Sequence, residues 1–292
     1  MKILLRIFSL ILSMEIPRKL KEIDNKNKIV SLYGHNPNKK AFEELIKWFL
    51  KNSFNFIATE NLVQIVNKNI KIKRPVSLSF DDGWRENLTN VFPILRKYKI
   101  PATFFISTGS IENGTFWWTK AQRNIKKMDI HSHHNLWEIS NDKRRNILAK
   151  IDENIEVREC LTIDELQLLS KSNYVSIGNH TDDHVDCSKC SKHELIEEIE
   201  KANMKIQNWT GHSVKYFAYP GGRRNRFTIK LIKELGFQLG FSTEPRSGTF
   251  KDDIHDFPRT FIKNNPVSLN ENILMALGIR QKYLHFFRNL HK

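Results

Sequence analysis

Residues 75–84 read Pro75-Val76-Ser77-Leu78-Ser79-Phe80-Asp81-Asp82-Gly83-Trp84. A short apolar run closed by turn residues predicts a buried strand over 75–80. Two adjacent carboxylates at its end are costly unless they serve a site, because burial beside a like charge raises a pKa. A helix N-cap accounts for one aspartate and leaves the second unexplained. Gly83 permits the tight turn into the next helix.

On either side of this stretch the chain alternates strand and helix. Further strands are predicted over 28–33, 102–107, 175–178, 215–219, 238–243 and 257–262. Helices are predicted over 40–52, 61–66, 87–98, 163–170, 193–209 and 228–235. Strands separated by helices imply parallel βα units, hence an α/β barrel or a doubly wound sheet. With no internal repeat or low-complexity linker, residues 28–265 are expected to form one domain. Residues 114–160 break the rhythm with Trp117, Trp118, His131, His133, His134 and a charged helical run over 141–155. This stretch reads as an insertion on one face. Its three histidines lack an acid at ligand spacing and are expected to be solvated rather than metal-binding.

A second motif, Gly178-Asn179-His180-Thr181-Asp182-Asp183-His184, follows the predicted strand 175–178. Strand ends are where α/β barrels build active sites. His180 and His184 stand four apart, so one helical turn lets both imidazoles face one metal. With a carboxylate from another strand end they make an open site, leaving positions for water and substrate.

The series Phe80-Asp81-Asp82-Gly83, Asn179-His180-Thr181-Asp182-Asp183-His184 and Phe217-Ala218-Tyr219-Pro220-Gly221-Gly222 resembles that of the polysaccharide deacetylases. These are carbohydrate esterases built on the nodulation-deacetylase homology domain. Val91–Tyr98 and Pro101–Phe105 are also similar to this family's helix and second strand, and the resemblance runs from about Lys28 to Ile262. It implies a distorted (β/α) barrel that removes N-acetyl groups from amino sugars with one divalent metal. Carried onto this chain, Asp82, His180 and His184 are the metal ligands and Asp81 is the general base. The backbone N–H of Tyr219 holds the oxyanion, with Pro220 beside it and Trp84 at the mouth of the site. Zn²⁺ is the expected ion; Co²⁺, Ni²⁺ and Mn²⁺ also suit two nitrogens and one oxygen.

The general acid is less direct. Many members place it as a histidine after the last strands, yet Arg259–Leu277 contains none. A branch that resembles a circular permutation places it after the first strand in a Tyr-His pair. Here Leu32-Tyr33-Gly34-His35 is one residue longer, which makes His35 the candidate and His255 the alternative. Phe257-Pro258-Arg259 is similar to the same branch, where such an arginine lies near the catalytic carboxylate. Arg259 is therefore expected to orient Asp81, a surface salt bridge being the other reading. Trp84 stands where a tyrosine is common and Gly221 where a second aromatic is common, so the sugar pocket is expected to differ. Trp117 and Trp118 are either stacking platforms for a sugar ring or a pair split between core and surface.

The 292 residues hold 47 Lys and Arg against 32 Asp and Glu, a formal net charge of +15. An apolar fraction of 40% supports a sizeable core and excludes global disorder. Cys160, Cys187 and Cys190 are too few for a disulfide framework, and the lone CxxC reads as ordinary packing. No apolar run reaches the roughly 18 residues of a membrane span. Residues 1–21 and 279–292 each carry a net +4, over half of the excess. Their basic residues alternate with bulky aliphatics and show no nucleic-acid motif, which favours an anionic membrane surface as partner.

Lys2, Arg6, Ser9 and Ser13 share one helical face, and Pro17 is expected to end that helix. An interfacial helix is preferred to a signal peptide because Arg6 interrupts the apolar stretch; a core-packing helix stays open. Residues 1–27 are thus an amphipathic lead-in. Residues 266–292 are a basic amphipathic helix with Ile273, Leu277, Leu284, Phe287 and Leu290 as its apolar series.

The expected protein is a bacterial metal-dependent N-deacetylase of amino sugars, acting on a surface polysaccharide or its lipid-linked precursor. Its expected place is the cytoplasmic face of the membrane, with export as the alternative. A deformylase of a lipid-linked sugar and a glycan-binding protein with a decayed site are the rival functions. The second is disfavoured because all ligands and the base are present.

Overall fold

The computed structural model describes residues 15–128, 136–152, 157–266 and 269–279. His131, His133, His134, the basic face of residues 2–13, and Leu284, Phe287 and Leu290 lie outside the described residues.

Among the described residues eight strands make one sheet: β1 (Val30–Gly34), β2 (Asn55–Phe56), β3 (Pro75–Phe80), β4 (Ala102–Ile106), β5 (Val175–Asn179), β6 (Tyr216–Ala218), β7 (Leu239–Phe241) and β8 (Thr260–Phe261). Their order is β7-β6-β5-β4-β3-β1-β8, with β2 paired to β3, and every pairing is parallel. β3 is buried along its whole length, as a parallel strand covered on both faces requires. The arc curls into a half-barrel. The Arg259 guanidinium lies 4.6 Å from the ring of Tyr33 in β1, 5.5 Å from Phe105 in β4 and 4.9 Å from Phe241 in β7. Strands that far apart in the order meet at one group only if the sheet bends around it.

Helices cover the outside through the apolar faces read from the sequence. Lys39–Lys51, capped by Asn38, buries Phe42, Leu45, Ile46 and Phe49. Lys192–Thr210, capped by Ser191, ends at Gly211 with φ 75°. The predicted helix 87–98 is instead a π-helical turn, Asn87–Val91, leading into an α-helix, Phe92–Tyr98. Pro93 has no N–H to give to the α pattern and its ring crowds the preceding turn, so the ladder widens there.

Three terminal expectations change. Residues 15–25 are helical through Pro17, whose fixed φ is a helical value, and Leu20 and Ile23 join the core. The helix Leu269–Ala276 is part of the barrel wall. Ile273 and Leu277 are buried in the same core, not free for a membrane.

Candidate active site

The site gathers at the carboxyl ends of β1, β3 and β5. Asp82 sits just past β3 with φ 77°, and His184 and Thr181 have φ 45° and 62°. Non-glycine residues held there cost of order 1–3 kcal/mol each and persist only where neighbours over-determine them. The expected helical turn between the histidines is therefore absent. A strained loop brings them together instead.

The ligand atoms of Asp82, His180 and His184 all lie within 4.8 Å of one another, and all three residues are buried. His180 Nε2 is 3.4 Å and His184 Nε2 3.3 Å from Asp82 Oδ1. His180 Nδ1 is 2.7 Å from the Ala218 carbonyl. A carbonyl only accepts, so Nδ1 carries the hydrogen and Nε2 presents its lone pair. Trp84 Nε1 donates to the other Asp82 oxygen at 2.9 Å, leaving Oδ1 to face the histidines. Burial pushes the Asp82 carboxyl up, but the facing histidines, His35 first, outweigh it and hold the group well below the usual carboxylate range. Burial takes His184 down to about 4 against the pull of Asp82, so its ring is neutral, the state a ligand needs. One carboxylate and two imidazoles fit a divalent transition metal.

Asp81 is bound on both oxygens by Arg259, Nη1 to Oδ1 and Nη2 to Oδ2, each at 2.8 Å. Arg259 also donates to Ser79 Oγ and the Ser242 carbonyl. The pair is buried, which removes the surface salt-bridge reading. His35, one residue past β1, places Nε2 3.9 Å from Asp82 Oδ2. His255 is elsewhere: its Nε2 bonds the Phe237 carbonyl and it does not line the catalytic cavity.

That cavity holds about 400 Å³. Trp84, Trp118 and Trp137 face it from one group of neighbours, and Asn36, Thr243 and Asn264 supply polar side chains. Trp118 lies 4.4 Å and Trp137 5.5 Å from the His184 ring. Of the Trp117–Trp118 pair, Trp117 is buried and Trp118 lines the cavity.

The oxyanion assignment to Tyr219 does not survive. Its N–H is already given to the Phe241 carbonyl at 3.1 Å, and its hydroxyl to the His255 carbonyl. Neither Tyr219 nor Pro220 lines the cavity; Gly221, next in the turn with φ 58°, does. A β-carbon on Gly221 would stand 3.6 Å from Trp137, so the stretch between β4 and β5 supplies an aromatic beside the position where the turn lacks one. Trp137 had no periodicity or motif to mark it in the sequence.

The polysaccharide deacetylase profile matches residues 68–240. The chain belongs to the polysaccharide deacetylase family. It is a carbohydrate N-deacetylase by kinship, acting on amide bonds. Poly-β-1,6-N-acetyl-D-glucosamine N-deacetylase of Staphylococcus aureus is 28% identical over 232 residues, covering 80% of this chain and 69% of that protein. Among solved structures, Streptococcus pyogenes deacetylase PplD in complex with acetate has a TM-score of 0.65 at 20% identity, over 86% of this chain and 98% of that one. IcaB from Ammonifex degensii has a TM-score of 0.62 at 18% identity, over 86% and 97%. These two carry the shared barrel fold. His35 and Arg259 fall outside residues 68–240 matched by the profile, and their placement is taken from this deacetylase's own geometry.

Proposed function

We propose that this deacetylase hydrolyses the acetamide of N-acetylglucosamine-type residues in a bacterial surface polysaccharide, releasing acetate and a free amine. The observation that carries it is the convergence of the Asp81–Arg259 pair and the Asp82–His180–His184 cluster on one cavity walled by tryptophans. The S. aureus relative, named for a poly-N-acetylglucosamine substrate, supports the polymer over a lipid-linked precursor.

When bound, a divalent metal, Zn²⁺ for preference, supplies a Lewis acid for the carbonyl and an acidified water. Asp82, His180 and His184 hold it. Asp81 keeps lone pairs beyond those given to Arg259 and takes the proton of the attacking water. His35 returns a proton to the departing nitrogen. Trp118 and Trp137 offer rings for a sugar face, and Asn36 and Asn264 offer amides for its hydroxyls.

The test is acetate release from N-acetylglucosamine oligomers by Zn²⁺- or Co²⁺-loaded protein, with His180→Ala and His184→Ala as controls. Oligomer turnover that both variants abolish together with metal uptake supports the reading. Release from formylated or lipid-linked sugars alone, or metal uptake unchanged in both variants, overturns it. The basic ends, a net +4 in each, support peripheral attachment to an anionic membrane face. Salt-sensitive co-sedimentation with anionic vesicles checks this, and its absence at low salt removes the attachment.

A further inference from the structure

The two histidine ligands are supported by different parts of the molecule. His180 is held by the barrel: its N–H bonds the Ile106 carbonyl of β4 and its Nδ1 the Ala218 carbonyl of β6. In the loop that follows, the barrel binds the carbonyls of residues 181 and 182. Thr108 donates to the Thr181 carbonyl, and Gly109 and Ser107 to that of Asp182.

The next two carbonyls belong to the insertion. Arg144, from the helix Asn141–Ala149, donates through Nη2 to the Asp183 carbonyl at 3.1 Å and to Asp183 Oδ2 at 3.0 Å. Trp117 Nε1 donates to the His184 carbonyl at 3.4 Å. The two donors are themselves stacked, with the Arg144 guanidinium 4.5 Å from the Trp117 ring. Arg145 closes the arrangement, binding Asp183 Oδ2 and Glu198, while Glu198 accepts the Asp183 N–H.

Arg144 is only 1% exposed. Its Nη1 bonds Asn141 Oδ1 and its Nε has no partner among the described residues, so burying this guanidinium with Nη2 on the residue before a ligand is an expensive way to anchor a surface helix. It is an effective way to hold that ligand in a backbone conformation it would otherwise leave. His184 needs such a support more than His180 does. Its φ is 45°, and its Nδ1 is buried with no hydrogen-bond partner among the described residues. The ring is therefore oriented by its backbone and by packing against Trp118 and Trp137.

We propose that Arg144, with Trp117, is a positioning residue of the metal centre: the insertion fixes His184 as a ligand, and metal affinity depends on that clamp. This rests on the reading that Asp82, His180 and His184 bind a metal.

The experiment titrates metal-free, full-length protein with Co²⁺ alone, reading affinity and the visible spectrum of the bound ion, beside urea unfolding of the metal-free forms. Arg144→Met should weaken Co²⁺ binding about 10–100-fold, the usual effect of losing an outer-shell partner, and alter the spectrum. Arg144→Lys should fall between it and the wild type. Trp117→Phe keeps the ring, loses the N–H, and should cost about three- to tenfold; it carries the test should Arg144→Met fail to fold. Lys143→Met, exposed on the same helix, should bind as the wild type. Affinity within twofold of wild type in folded Arg144→Met, or in Trp117→Phe if that alone folds, overturns the clamp even if urea stability drops. A wild type that takes up no Co²⁺ overturns the metal reading itself, and the clamp with it.

Discussion

Arg259→Met is the sharpest test of how the site is built. Arg259 is fully buried and the Asp81 side chain is 4% exposed, and the two share paired 2.8 Å bonds. Methionine keeps apolar contact with Tyr33, Phe105 and Phe241 but withdraws the charge. What remains is a buried carboxylate with no cation, and breaking a buried pair in this way costs about 3–5 kcal/mol. That is a large share of the about 5–15 kcal/mol that holds a domain together. The measurement is urea unfolding of metal-free wild type, Arg259→Met, Asp81→Asn and the double variant at neutral pH. The double variant should be more stable than the sum of the single losses predicts, by about 1–3 kcal/mol, because each single variant strands a group that the double removes. Additivity to within about 0.5 kcal/mol would falsify the claim that Arg259 and Asp81 form one electrostatic unit. Metal stoichiometry of Arg259→Met should be unchanged, since no ligand is touched.

His35→Ala should lower turnover about 10²–10⁴-fold with Co²⁺ uptake retained, and His255→Ala should leave it near wild type; the reverse pattern moves the acid to His255. Burial lifts Glu198 from 4.5 to about 7, so between those values the native state holds more protons than the unfolded chain. Stability is then fully present below the lower value and is lost as pH rises through the upper one, by about 3 kcal/mol. Glu198→Gln should flatten that fall relative to wild type in urea unfolding from about pH 5 to about pH 8; parallel profiles refute it.

Much of the centre was legible because its chemistry sits in contiguous words. Asp81 and Asp82 end a strand whose apolar run is unbroken, and two histidines follow another. Even Arg259, 178 residues from Asp81, was found through the family's local pattern around it. What the sequence hid depends on tertiary pairing. Nothing near Tyr219 tells that its N–H is consumed by Phe241, because that bond belongs to the pairing of β6 with β7. The four-residue spacing of His180 and His184 suggests a helix, yet Thr181 and His184 take left-handed values that only surrounding bonds sustain. Trp137 and Arg144 carry no motif at all. They lie between β4 and β5, and no periodicity encodes where residues of such a stretch pack.

The strain at the centre links these points. Asp82, Thr181 and His184 each hold a positive φ, a combined cost of several kcal/mol, and each is fixed by a separate set of bonds. Ser107 N–H binds the Asp82 carbonyl, the Thr181 N–H is taken by Asn179 Oδ1, and His184 is held through Trp117 and, one residue earlier, Arg144. The first two supports come from strand ends common to the barrel, and the third from the segment least like a βα unit. Trp118 and Trp137 flank that third support and also line the cavity. A sugar seated against them would press on the same insertion that sets His184. On the proposed function, sugar contact at Trp118 and Trp137 and the support of His184 by Trp117 and Arg144 would be coupled, while His180 is held by the sheet.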